Sequence, residues 1–417
     1  TSFENSDVEI NLEKTSNDTY LKSENIKTAL NNNQSVLNSY LNYSVNNDDL
    51  DFFAEVAAYE DLSQTKNSDK YQFILPSFSF SKLLDINQDI KGNLKYVLKG
   101  LSQKKNTNVS ESYLINDLEY SSNLNISKNG ITNNFYFLYK NASKHGENSS
   151  NYSNDFESDN FISTIFTSSL PMKKIYQNFQ SNLTPKASLR LSPFDSENIS
   201  SLDRQLNMTN LFSNNRLGLS DSLEGGQSIT LGFDYDISDL EDNTFFSSSL
   251  GQIFRDVDDG KLPLSSTMNS QRSDIIGQMK FKTNDDFEIN YNFSADNNLD
   301  TMNYTLLESK FTVNNFITSF EFLEENNDIG SKSYFQNDIK YKFNQNNSLN
   351  YNTRRNRKTD LVEYYNLIYE YKNDCLIAAI EYNKNYYEDR DIKPNEEIFF
   401  SLTLTPLTSV SSPNLNK

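Results

Sequence analysis

The stretch Phe287-Glu288-Ile289-Asn290-Tyr291-Asn292-Phe293 decides how this chain is read. Every odd position is apolar and every even one is polar. A β-strand sends successive side chains to opposite faces, so such a segment has one greasy side and one wet side. The same period recurs on both sides of it. Ile229, Leu231, Phe233 and Tyr235 enclose Thr230, Gly232 and Asp234, and Ile339, Tyr341 and Phe343 enclose Lys340 and Lys342. Phe316, Phe320 and Phe322 share a face opposite Ser319 and Glu321. Turns rich in Asn, Asp and Ser separate these segments, as at 284–286, 296–300 and 344–347. Strand centres fall roughly 10 to 15 residues apart, the spacing of antiparallel hairpins. The pattern predicts about 20 strands. The fold class it predicts is all-β, a large antiparallel transmembrane β-barrel.

Composition agrees with that reading once the one-sided strand is allowed for. The 417 residues are 23% charged and 36% hydrophobic, with a mean hydropathy of -0.69. Those values alone describe a polar soluble or partly disordered chain. Against disorder stand 25 Tyr and 29 Phe, although Trp is absent. The sequence has no apolar run long enough for a transmembrane helix, which takes roughly 18 residues. A membrane barrel escapes that test, because only alternate side chains meet lipid. A soluble sandwich of this length would bury both sheets and would need more aliphatic residues. The formal net charge of -19 excludes a broad basic surface for nucleic acid. At Thr1 there is neither a charged nor an apolar signal-peptide segment, so the chain reads as a mature form, a fragment, or a protein that is not exported.

Signals of catalysis are nearly absent, and the prediction is a protein that is not an enzyme and takes no cofactor. The single histidine, His145, lies in the polar stretch 142–158, read as a loop. One His and one Cys cannot build a Cys/His metal site or a nucleophile–base pair of those types. The 12 glycines form no phosphate-cradling loop, and Gly225-Gly226 reads as a turn before the strand carrying Ile229. Asp256, Asp258 and Asp259 read as a solvated acidic loop. The stretch 194–222 lacks alternation and reads as a long loop on one rim. In this acidic chain the run Arg354-Arg355-Asn356-Arg357-Lys358 stands out. It is either a hairpin end facing water or a luminal or rim patch, formed by Arg354, Arg355, Arg357 and Lys358, that meets a phosphorylated or carboxylated ligand.

Several consecutive segments resemble one family. They are Ala187-Ser188-Leu189-Arg190-Leu191-Ser192-Pro193, Asn210-Leu211-Phe212-Ser213-Asn214-Asn215-Arg216-Leu217-Gly218, Asp221-Ser222-Leu223-Glu224-Gly225-Gly226, Ser249-Leu250-Gly251-Gln252-Ile253-Phe254-Arg255 and Ser273-Asp274-Ile275-Ile276-Gly277. Their order and spacing are similar to the C-terminal barrel of the lipopolysaccharide-assembly family LptD. Ser16-Asn17-Asp18-Thr19-Tyr20-Leu21-Lys22, Glu363-Tyr364-Tyr365 and the last strand add to the likeness. Each motif is weak alone; the shared order is specific.

The resemblance implies a barrel of about 26 strands, more than the pattern yields. It also implies that residues 1–417 are the C-terminal part of such a protein, with its N-terminal jellyroll and first strands missing. The implied location is the outer membrane of a Gram-negative cell. Implied partners are lipopolysaccharide, an LptE-like lipoprotein plug, the periplasmic Lpt bridge through the N-terminal domain, and the barrel-assembly machinery; no nucleic acid is implied. The family usually carries an adjacent cysteine pair bonded to its N-terminal domain. Here Asp374 precedes Cys375, so at most one such inter-domain bond is implied. Parity places Cys375 on the face opposite Leu376, Ala378 and Ile380, toward the lumen or periplasm. In the family, sugars pass through the lumen and the lipid leaves between the first and last strands. A strand proline removes a ladder donor and weakens such a seam. The segment 397–405, with Ile398, Phe400, Leu402 and Leu404 on one face, Pro406 after it and Pro394 before it, is therefore the expected lateral gate strand. Its apolar face also resembles the C-terminal signal read by the assembly machinery. The alternatives are a porin-like small-solute channel and a soluble all-β adhesin or binding module.

Overall fold

The computed structural model describes residues 2–3, 5–23, 35–64, 68–85, 91–283, 286–386, 395–404, 408–411 and 415–416. Twenty strands of six residues or more account for most of them. They are β1 Ser6–Asn11, β2 Val36–Asn46, β3 Leu50–Asp61, β4 Tyr71–Leu84, β5 Gly92–Lys105, β6 Ser110–Ser122, β7 Thr132–Glu147, β8 Glu157–Ser169, β9 Gln180–Ser192 and β10 Gly226–Ser238. There follow β11 Thr244–Arg255, β12 Ile275–Thr283, β13 Phe287–Ala295, β14 Met302–Val313, β15 Phe316–Glu325, β16 Ser333–Lys342, β17 Asn347–Asn356, β18 Leu361–Lys372, β19 Leu376–Asn385 and β20 Asn395–Leu404. The remaining strands are four residues or shorter. The one described α-helix, Tyr20–Ser23, has four residues, and no described helix is long and apolar enough to cross a membrane.

The chain divides into two compact units. The first comprises Thr1–Ser168, Ser188–Asn198 and Gly218–Ile229, and the second Ser169–Ala187, Ile199–Leu217 and Thr230–Lys417. Sequential antiparallel pairing runs through each. In the first, β1 pairs β2, and the ladder continues through β7. In the second, the ladder runs from β11 to β20.

Register turns one-strand alternation into faces. Tyr291 of β13 lies between Met279 of β12 and Leu307 of β14, while Asn290 lies between Lys280 and Glu308. Met279 and Phe281 are exposed although apolar, as side chains facing lipid would be. T-shaped Phe281–Phe287 and Phe287–Phe311 pairs line the same face, with centroids 6.1 and 6.2 Å apart. Pro76, which has no N–H to give a ladder, sits where the β4–β5 register breaks between Ile74 and Ser77.

The Asn and Asp content of the turns has a local cause. Asn344 Oδ1 accepts the N–H groups of Asn346 and Asn347 at 2.9 Å each. Asn373 Oδ1 accepts those of Cys375 and Leu376, at 3.0 and 2.8 Å. Short side-chain acceptors replace backbone partners that a tight reversal cannot supply. In the second unit, connections after even-numbered strands include the tight ones, 239–243, 314–315, 343–346 and 373–375, whereas the long connection 256–274 follows an odd-numbered strand. Alternating connections of an antiparallel ladder fall at opposite strand ends, so tight turns gather at one end.

Two sequence-based placements change. His145 belongs to β7, opposite Ser112 of β6, and not to a loop. The polar run that suggested a loop is a strand with both faces polar at its end, and only the neighbouring strand reveals that pairing. Cys375 is not on a strand face; it is exposed in the turn between β18 and β19, one residue before the alternation starts.

Candidate transport surface

The polar faces carry the chemistry. In the first unit the segment 193–198 and the segment 218–225 fold back over the polar face of β6–β9. Leu223 is buried with Ile115, Tyr136, Leu138, Ala142, Phe161 and Ile165. Around this apolar patch the strands hold buried cations, and the returning segment brings their partners. Lys140 Nζ lies 2.8 Å from Asp117 Oδ1 and donates to Oδ2 at 2.9 Å and to the Ser220 carbonyl at 2.8 Å. Lys140 and Asp117 have side-chain exposures of only 4% and 7%. Lys144 bonds Glu197 at 2.5 Å, with Asp159 at 3.4 Å. Arg190 Nε is 3.8 Å from Glu224, with both side chains buried. Tyr152 donates to Asp221 at 2.6 Å.

Burial pushes the Glu197 carboxyl above its ordinary range, and the Lys144 hydrogen bond offsets part of that rise. Burial, then the hydrogen bond to Asp221, drives the Tyr152 hydroxyl well up. The segment is seated by backbone too. Gly226 donates to the Phe194 carbonyl at 3.1 Å, and a Cβ on Gly225 would strike Phe194 O and Ser196 N, so glycine is required by close approach.

In the second unit, the segment 199–217 and the connection 256–274 are fastened together. Ile199 donates to the Lys261 carbonyl at 2.8 Å, and Arg204 donates its backbone N–H to Ser265 Oγ at 2.9 Å. Leu211, Leu217, Leu262 and Met268 are buried. The connection is therefore not simply a solvated acidic loop: Asp258 takes the Gln271 N–H, and Arg255 lies 3.6 Å from Asp259. Asp274 is buried and accepts from Ser294 at 2.6 Å and Asn303 at 2.7 Å; burial raises its pKa. Beside this region a cavity of about 550 Å³ is lined by Lys186, Thr209, Phe212, Asp234, Asp236 and Gln278, among others. Lys186 pairs with Asp234 and lies 5.8 Å above the Phe212 ring. Carboxylates, an amide, hydroxyls and one aromatic ring are the groups that hydrogen-bond and stack on sugars.

The structure separates the basic run. Arg354 is opposite Gln336 on the polar face, stacks 3.9 Å over Tyr334 and forms an ion pair with Glu363 at 2.8 Å. Arg355 is opposite Phe335 on the other face and pairs with Asp360 at 2.5 Å. Arg357 reaches Glu324 at 3.0 Å, and Lys358 lies in the turn after β17. The expected gate residues share one face of β20, where Ile398, Phe400, Leu402 and Leu404 oppose Tyr382, Ile380, Ala378 and Leu376. Phe400, Leu402 and Leu404 are exposed. The other edge of β20 pairs with Thr408–Ser411 and Leu415–Asn416. Pro406 and Pro394 lie outside the described residues.

The family model LptD, LPS transport system D, matches residues 3–332. The chain belongs to the LptD family. LptD is a transport family, not a family of enzymes, and the chain is an outer-membrane β-barrel of a Gram-negative cell. The match ends before Arg354, Cys375 and β20. A comparison with curated proteins finds no match. Among solved structures, the siderophore receptor PirA from Acinetobacter baumannii is 9% identical, with 89% of this chain and 72% of that one covered and a TM-score of 0.42. The ferric enterobactin receptor PfeA from Pseudomonas aeruginosa is 8% identical, with 90% and 71% covered and a TM-score of 0.41. A likeness at that level says nothing about what this LptD chain carries.

Sequence reasoning missed the buried cations of β7 and β9 and their partners at 197, 220 and 224. One signal was present. The non-alternating stretch carries Leu206, Leu211, Leu217 and Leu219, and a solvated loop has no use for four buried leucines.

Proposed function

We propose that this chain inserts lipopolysaccharide into the outer leaflet, its sugars travelling along the polar face and its acyl chains remaining on the lipid side. The observation that carries this reading is the LptD match over residues 3–332. Physical chemistry supplies the reason for two-faced strands: a charged, sugar-rich head needs water or hydrogen bonds, and acyl chains need hydrocarbon. The cavity at Lys186, Asp234, Asp236 and Gln278 offers hydrogen bonds to such a head, and Arg354 adds a cation on the same kind of face.

β20 is the proposed lateral gate strand, with Ile398, Phe400, Leu402 and Leu404 toward lipid. The exposure of Phe400, Leu402 and Leu404 supports their place toward lipid. Cys375, exposed in a tight turn, is the proposed attachment point for one disulfide to the N-terminal domain, which would receive cargo from the periplasmic bridge. An LptE-like lipoprotein filling the lumen and folding by the barrel-assembly machinery complete the proposal. The test is a cysteine pair joining β20 to the first strand of the barrel. Oxidation is expected to stop delivery of lipopolysaccharide to the cell surface, and reduction to restore it; delivery that continues through the closed seam refutes the gate.

A further inference from the structure

Between Asp159 and Asp195 the sequence contains Lys173, Lys174, Lys186 and Arg190 but no Asp or Glu, in a chain whose net charge is -19. The structure puts the first two of these cations on a projecting hairpin. The short strand Met172–Ile175 pairs with the start of β9, Met172 opposite Leu183 and Ile175 opposite Gln180. Tyr176 donates to the Phe179 carbonyl at 2.8 Å and closes the turn. Every residue from 171 to 179 is exposed, including Met172, Ile175, Tyr176 and Phe179. The Tyr176 and Phe179 rings stack at 4.4 Å, and Lys174 Nζ lies 4.9 Å over Tyr176.

Ile175, opposite Gln180, shares the parity of Lys173. Met172 and the stacked Tyr176 and Phe179 rings, exposed on one short hairpin, need a neighbour other than water. Register says which. Along β9, Leu183, Leu189 and Leu191 fall on one parity, and Lys186, Ser188, Arg190 and Ser192 on the other; Leu189 and Leu191 are exposed whereas Ser188 and Arg190 are buried. Met172, opposite Leu183, continues the apolar parity, and Lys174 and Tyr176 follow at two-residue steps. The lipid-facing column thus runs outward from aliphatic to cation plus aromatic ring. That is the order of a membrane from hydrocarbon to headgroup, with aromatic rings at the boundary and lysine reaching past it. Lys173, on the other parity, has Asp242 at 3.9 Å, whereas Lys174 holds no carboxylate among the described residues. Asp242 of the tight turn 239–243 accepts from Gln180 and lies 3.9 Å from Lys173, so the hairpin lies at the tight-turn end, which in outer-membrane barrels is periplasmic.

We infer that hairpin 171–179 is a membrane-interface anchor in which Lys174, held over Tyr176, binds the phosphate of anionic phospholipid headgroups in the periplasmic leaflet. This goes beyond the transport reading and depends only on the membrane location. The natural absence of Trp supplies the assay. Y176W, or N178W if the first fails to assemble, places a single Trp on the hairpin of the full chain. The variants are reconstituted in phosphatidylcholine vesicles with and without phosphatidylglycerol, brominated on one lipid or the other. Trp emission is expected to be quenched by bromine and quenched preferentially by brominated phosphatidylglycerol. Adding K174Q should weaken that preference about fivefold, the effect of one lysine near an anionic surface. Water-like emission unaffected by either brominated lipid, as for a hairpin in solvent or on a protein partner, overturns the inference. So does a phosphatidylglycerol preference that K174Q leaves unchanged.

Discussion

Replacing Lys140 by Met tests the polar face at its most buried pair. The Met side chain fills the lysine stem but supplies no charge, so Asp117 is left 7% exposed without its cation. Removing one member of a buried pair costs about 3–5 kcal/mol, because the remaining charge is neither solvated nor paired. That is roughly a hundred- to several-thousand-fold in the folding equilibrium. Lys140 also holds the Ser220 carbonyl at 2.8 Å, so the segment 218–225 loses an attachment at the same time. The measurement is urea unfolding of the reconstituted chain, followed by the mobility difference between folded and unfolded barrel, with limited proteolysis to report on the segment. K140M should lower stability by the stated amount and open new cleavage sites near 220. The double variant K140M/D117L removes both charges and should recover most of the loss, since an apolar pair of similar volume is tolerated where a lone charge is not. A K140M penalty below about 1 kcal/mol, the scale of an exposed ion pair, or a double variant no better than the single, would refute the reasoning.

Gly225→Ala should destabilise the first unit by about 1–3 kcal/mol, since the new methyl group meets backbone at Phe194 and Ser196 and not a side chain that can turn away; equilibrium unfolding checks this. Leu211→Ala, at 1% exposure, should cost about 2–5 kcal/mol in the same measurement. Burial raises the Asp274 pKa, so the folded state binds more protons than the unfolded state between the ordinary carboxylate value of 3.8 and the raised one. The Asp274 contribution to stability is therefore fully present below that ordinary value and is lost as pH rises through the raised one, and Asp274→Asn should flatten this part of the pH–stability curve. Cys375, exposed in a tight turn, should react after reduction with a membrane-impermeant maleimide only when the outer membrane has been permeabilised. Labelling of intact cells would reverse the assigned orientation.

Alternation such as 287–293 determined by itself that the chain is a ladder of two-faced strands, and the order of motifs from Ala187 to Gly277 determined the family. Both are local properties: side-chain parity follows from backbone geometry, and turn residues such as Asn344 act within four residues of themselves. The placements of His145 and Cys375 depended on where a strand begins or ends, which pairing with the next strand decides; local polarity misplaced the first and parity the second. The basic run looked like one patch along the chain; a register break between Arg354 and Arg355 and separate carboxylates at 363, 360 and 324 divided it. The buried set Lys140–Asp117, Lys144–Glu197 and Arg190–Glu224 was beyond the sequence. A buried cation is written with the same letter as a solvated one, and only the return of residues 193–198 and 218–225 over the strands, dozens of positions away, removes the water that would otherwise separate them.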